Sequence, residues 1–201
     1  MSEKIRVSSA FKTIEKIISG GQTEADRAGL DAARTAGIPT GGTAPKGWRI
    51  TDWDGNDASD STLEGLGLVE AKTSAYPPRT RQNVKDSDGT ILFGYMESGG
   101  CRLTIEACKK EGKPYICNPT VKEFLQWIDD RQIAILNVAG NRHSAYNPDI
   151  YQDVYDFLIK AFKHEKTRQE IWKTCDEALA NSITSFYSDD LDEEEEDCEI
   201  P

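Results

Sequence analysis

Histidine is almost missing from this 201-residue chain, which has only His143 and His164. That leaves little for an imidazole-based metal site or a histidine-driven nucleophile, and none of the cysteines stands beside a basic motif. The five cysteines (Cys101, Cys108, Cys117, Cys175 and Cys198) are scattered, with no pair at metal-type spacing. We therefore expect no protein-ligated metal. An odd number of thiols without a recognisable leader reads as a reduced, cytoplasmic protein. Cys198 stands fourth from the end, but Glu199 and Pro201 do not suit a prenylation signal. No apolar run approaches the roughly 20 residues that cross a bilayer, so no membrane partner is expected. Basic residues are outnumbered 24 to 35, and no basic face suggests nucleic acid.

What the chain does have is unevenly placed. Residues 189–201 hold nine acids and no lysine or arginine; removing those nine from the formal charge of −11 leaves −2 for the body. Such a segment reads as a disordered, self-repelling tail, suited to solubility or to docking a basic partner. We divide the chain into a polar lead-in (1–13), a single domain (14–187) and the acidic tail (188–201).

The domain opens on Lys16-Ile17-Ile18, a short β-branched strand closed by Gly20-Gly21. Thr23 reads as the N-cap of the next helix, with Asp26 three residues on. Ala25, Ala28, Gly29, Ala32, Ala33 and Ala36 then recur at helical spacing, giving a face with almost no bulk that can lie close on a sheet. A second strand edge follows in 37–42. Residues 49–68 are rich in Asp, Ser and Gly and read as a long surface loop, a lid or an insertion. Arg79–Lys85 reads as helix, Thr90–Tyr95 as strand, 102–111 as helix and 113–117 as strand. Residues 121–130 are an amphipathic helix, 133–138 a buried strand, and 149–163 and 165–187 helical patterns. Short continuous apolar strands alternating with helices define the class: α/β, a doubly wound, mostly parallel sheet with helices on both faces.

In such a sheet the ligand crevice lies at the carboxyl ends of the strands. Three polar, glycine-containing loops follow strands and so share that edge: 20–23, 98–100 and 137–142. Gly99-Gly100 leads into a helix whose first turns carry Arg102 and Thr104. Free N–H groups, a cation and a hydroxyl are what a phosphate ester needs, although the same pattern also describes a helix cap with a solvated arginine. Glu106, one turn further, is a candidate general acid/base or else a surface charge, and Arg79 is a candidate to reach over the crevice or else to serve a structural ion pair. Trp48 and Trp53 are candidates for stacking on a heterocycle. Asp86 and Asp88 fall before their strand, at the opposite edge, and read as turn formers.

Seven separated pieces, SGGQTEADRAGLDAA, GIPTGG, PKG, RTRQNVKDSDGTILF, the second Gly-Gly with a threonine four residues on, GKP and LNVAGNR, occur in one order over roughly residues 15–160. In this the chain resembles the molybdenum cofactor carrier-like family. That family belongs to the Rossmann-like superfamily that also holds the lysine decarboxylase-like phosphoribohydrolases. The resemblance implies a Rossmann-like subunit, often a homo-oligomer, that binds molybdenum cofactor, a pterin dithiolene with a terminal phosphate. By motif position it implies contacts from Gly20, Gly21, Gln22, Thr23, Asp26, Arg27, Lys46, Arg79, Thr80, Asn83, Gly99, Gly100, Thr104, Asn137, Gly140 and Arg142. Two positions depart from the pattern: Glu24 where the family usually has glycine, and Ala44 where it has cysteine.

The function expected is a binding or carrier protein for a phosphorylated heterocycle, with molybdenum cofactor the named candidate. A nucleoside-monophosphate phosphoribohydrolase using Arg79 and Glu106, or a nucleotide-sensing module, are the alternatives. Glu24 and Asp26 put negative charge at the first loop, so the phosphate is expected at Gly99-Gly100 beside Arg102. Gln22 and Thr23 are then expected to hold an uncharged part of the ligand.

Overall fold

The computed structural model describes residues 13–52, 54–142 and 147–189. The chain divides into two compact units, Met1–Lys163 and His164–Pro201. The first carries the sheet. Its elements run β1 (Lys16–Ile18), α1 (Ala25–Ala36), β2 (Thr40–Ala44), β3 (Arg49–Thr51), β4 (Asp57–Ser59), α2 (Thr62–Gly65) and β5 (Leu68–Glu70). There follow α3 (Tyr76–Asp86), β6 (Gly89–Phe93), α4 (Gly99–Glu111), β7 (Tyr115–Cys117), α5 (Val121–Arg131) and β8 (Ile135–Gly140). The last element, α6 (Ile150–Asp189), takes up both helical patterns of the sequence. In the second unit α6 continues as helix to Asp189. Among the described residues no helix is long and apolar enough to cross a membrane. The acidic tail from residue 190, the lead-in to residue 12, Trp53 and His143 lie outside the described residues.

Six strands pair in the order β5-β2-β1-β8-β6-β7, every neighbouring pair parallel. The doubly wound α/β class expected from the alternation is what forms. The chain fills the β2 and β5 side first, crosses to β6 and β7, and returns with β8 between β1 and β6. The two halves therefore diverge beside β1 and β8, and loops leaving these strands at their carboxyl ends frame a crevice.

The small-residue face of α1 explains how closely that helix sits. Ala25, Ala28, Ala32 and Ala33 are fully buried, and a Cβ added at Gly29 would lie 2.7 Å from Val138 on β8. The main core gathers Ile17, Ile91, Leu136 and Val138 from the sheet with Phe124 and Ile128 of α5 and Val154, Leu158 and Phe162 of α6. A second cluster, Leu30, Ala44, Leu63, Leu66 and Leu68, lies under the insertion after β2.

Three expectations are corrected. Thr23 does not cap α1; Glu24 occupies that position with φ 71° and ψ −117°, and no side chain caps the helix. Residues 49–68 are not a long loop, because β3 and β4 pair as an antiparallel hairpin and α2 and the start of β5 follow. The strand 90–95 stops at Phe93.

At α5 the sequence builds a complete capping box: Thr120 Oγ1 accepts from Glu123 N, and the Glu123 carboxylate accepts from Thr120 N at 2.8 Å. Thr120→Ala removes this cap and is expected to cost about 1 kcal/mol. Urea denaturation checks it; a loss under a few tenths would mean the box carries nothing.

Candidate functional site

The first loop leaves β1 at Ser19 and is shaped by what it packs against. The guanidinium of Arg79, carried by α3, occupies the space that a Cβ on residue 20 would need, so only glycine fits there. Arg79 Nη1 donates to Asp26 Oδ2 at 3.2 Å, and Gln22 N donates to the same oxygen at 3.2 Å. The pair is secluded, with side-chain exposures of 12% and 5%. Burial pushes the Asp26 carboxyl above the ordinary aspartate range, and the opposing pull of Arg79 does not cancel it. Arg79 Nε is buried without a hydrogen-bond acceptor among the described residues. The Tyr76 ring meets two cations, the Arg49 and Arg79 guanidinium carbons standing 5.1 and 5.7 Å from its centre.

Gln22 and Thr23 face the insertion hairpin. Gln22 Oε1 accepts from Thr51 N at 2.8 Å and Thr23 N at 3.0 Å, and Thr23 Oγ1 donates to Thr51 O at 2.9 Å. The hairpin is stitched to the first loop through these bonds. Arg27 secures it from the other side, pairing with Asp31 on α1 at 3.0 Å and with Asp60 at 2.8 Å. Glu24 is 1% exposed.

The second loop, between β6 and α4, is fixed by two asparagines. Asn118 and Gly94 exchange a reciprocal pair: Gly94 N donates to Asn118 Oδ1 at 2.8 Å, and Asn118 Nδ2 donates to Gly94 O at 2.9 Å. Asn141, just past β8, accepts from Tyr95 N and donates from Nδ2 to Ser98 Oγ at 2.7 Å. Ser98 is the N-cap of α4, its hydroxyl accepting from Cys101 N at 3.3 Å. Gly99 and Gly100 form the first turn, where helix geometry leaves their N–H groups without intrahelical acceptors. An added Cβ at either would meet nothing within 4 Å, so an outside group has room to approach. Arg102 is exposed and ion-paired with Glu97. Thr104 is buried and donates to Gly100 O at 3.0 Å, supporting the turn from behind.

The arrangement is a secluded Asp26–Arg79 pair walled by a hairpin on one side of the crevice, and an open, polar helix start on the other. Comparison with known proteins agrees with this architecture. The family model described as the circularly permutated YpsA SLOG family matches residues 17–162. The chain belongs to that family. A crystal structure of a "Putative molybdenum carrier protein" from Syntrophus aciditrophicus is 37% identical, covers 74% of this chain and 94% of its own, and superposes with a TM-score of 0.62. The resemblance drawn from the motifs is thereby borne out at the level of the family. Among curated proteins none matches.

Several motif residues of this SLOG domain act as staples of the fold. Asn83 clamps β2, accepting from Thr43 N at 2.7 Å and donating to Thr43 O at 3.0 Å. Asn137 is buried and donates to Thr90 Oγ1 at 3.2 Å, while Thr80 Oγ1 donates to Tyr76 O. A Cβ at Gly140 would press on Phe93 O and Ala25, and one at Gly21 on Leu63 and Leu68. Lys46 and Arg142 are exposed on loops of the carboxyl edge. Glu106 is also exposed and lies beside Arg102, whereas Arg79 is engaged with Asp26. Ala44, at the departed cysteine position, is fully buried in β2. Trp48 packs against the second apolar cluster. Asp88 accepts from Ala134 N and Ile135 N at 3.0 and 2.7 Å, and Asp86 accepts from Gln82, so both serve local structure at the far edge.

The sequence pattern places Tyr95 at the end of a strand and singles out no role for Asn118, whose side chain, at φ 42°, pairs with Gly94 24 residues away. An Asn just after a strand, in a turn that needs a positive φ, was the available signal.

Proposed function

We propose that this SLOG domain is a binding protein that carries a small phosphorylated heterocycle, with molybdenum cofactor as the named candidate. The observation that carries the reading is the open first turn of α4. Gly99 and Gly100 are exposed at the carboxyl edge, beside the crevice, and open the helix where N–H groups have no intrahelical acceptor, with Arg102 one turn away. A phosphate monoester placed there gains two amide donors and the helix dipole. The name of the similar Syntrophus protein supports the carrier role.

The residues present suit such a cargo through its phosphate. Among the described residues no group of three or more His, Cys, Asp or Glu is arranged to hold a metal ion, so the metal would arrive held by the dithiolene of the pterin. The chain's own part is then to seat the phosphate, with the 49–59 hairpin walling off the Asp26–Arg79 side. In this reading the homo-oligomer and a basic partner for the acidic tail are further expectations, tested by light scattering and by truncation at residue 188.

Protein purified from a cofactor-producing host should carry an oxidisable, fluorescent pterin in near-stoichiometric amount. Gly100→Asp, which sets a carboxylate where the phosphate would lie, should reduce that loading about tenfold, the equivalent of about 1.4 kcal/mol. Protein that never carries pterin contradicts the reading. Release of free adenine from adenosine monophosphate would show instead a phosphoribohydrolase.

A further inference from the structure

We propose that the ring of Tyr95 is the stacking surface for the planar part of the ligand, making the site selective for a phosphorylated heterocycle over a phosphorylated sugar. This rests on the reading above, in which the phosphate sits at the start of α4. Tyr95 is 67% exposed, and Val69 on edge strand β5 is the other large hydrophobic side chain left open among the described residues.

A single exposed aromatic is ordinary on a protein surface. What sets Tyr95 apart is the loop that holds it. Gly94 is locked by the reciprocal pair with Asn118, Tyr95 N is bound by Asn141, and Ser98 N donates to Tyr95 O at 3.2 Å. Asn141 reaches on to the α4 cap, so one side chain ties the backbone under the ring to the helix start. These bonds fix the backbone that carries the ring, and Tyr95 stands four residues before Gly99 on the same loop. A ring with a pinned backbone beside an open set of amides is a surface on which a flat heteroaromatic can lie while its phosphate meets the helix.

The test compares adenosine monophosphate with ribose 5-phosphate as probes, by calorimetry, on the wild type, Tyr95→Ala and Tyr95→Phe. Tyr95→Ala should weaken adenosine monophosphate about tenfold and leave ribose 5-phosphate unchanged, and Tyr95→Phe should keep the wild-type affinity. Equal loss for both probes, or no loss for either, overturns the stacking role while leaving the phosphate site standing. If the wild type binds neither probe at millimolar concentration, the phosphate reading fails, and this inference fails with it.

Discussion

Replacing Arg79 by methionine will destabilise the domain by about 3–5 kcal/mol at neutral pH, because it leaves the Asp26 carboxylate buried without its cation. For a chain of this length that corresponds to roughly 10 °C in Tm. The effect depends on pH in a defined direction. Asp26 already has a folded-state pKa above its unfolded value, so the native state binds the proton more tightly than the unfolded chain does. Its contribution therefore becomes more favourable as pH falls through the folded pKa towards the unfolded value of 3.8. Without Arg79 the folded pKa rises further, so the deficit of Arg79→Met should shrink on acidification. Adding Asp26→Asn should recover much of the loss at neutral pH. Urea denaturation at two pH values checks this; a deficit under about 0.5 kcal/mol, the usual size of a surface-mutation effect, would mean the pair is dispensable.

Glu24→Gly is expected to change two things at once. The backbone at φ 71° and ψ −117° is a conformation that side-chain-bearing residues rarely adopt, with a cost of about 1–3 kcal/mol. Glycine removes that strain, and it also removes a buried carboxylate from the first loop. Stability should rise, and anion binding at the crevice should strengthen. Glu24→Ala separates the two, since it deletes the charge and keeps the side-chain penalty: it should strengthen anion binding with no gain in Tm. A Glu24→Gly protein less stable than the wild type contradicts the strain argument. Anion affinity indifferent to both changes would mean that the charge of Glu24 is not felt at the start of α4.

The features legible in the sequence are those whose cause is local. The alanine face of α1 declared its close packing because small residues recur at helical spacing, and Gly29 against Val138 is the result. The parallel sheet followed from short apolar strands between helices, and the carboxyl-edge rule then brought the three loops together. The hairpin of β3 and β4 was hidden because its two three-residue strands are polar and without period. Gln22 and Thr23, nearly 30 residues away, hold β3 at Thr51, and β4 pairs onto β3. The same distance effect disguised Asn83 and Asn137, whose motif positions suggest ligand contacts while their amides hold β2 and β6. Threonine is a good N-cap residue, which is why Thr23 reads as one, whereas its hydroxyl is spent on Thr51.

The central claim is that a phosphate seats at the first turn of α4. Amide chemical-shift mapping with inorganic phosphate tests it most directly, since it reads each N–H and tolerates weak binding. The account predicts that the Gly99 and Gly100 amides shift most, saturably, and that those of Gly20 and Gly21 stay nearly still. Shifts centred on Gly20 and Gly21, or none at Gly99 and Gly100, would contradict it.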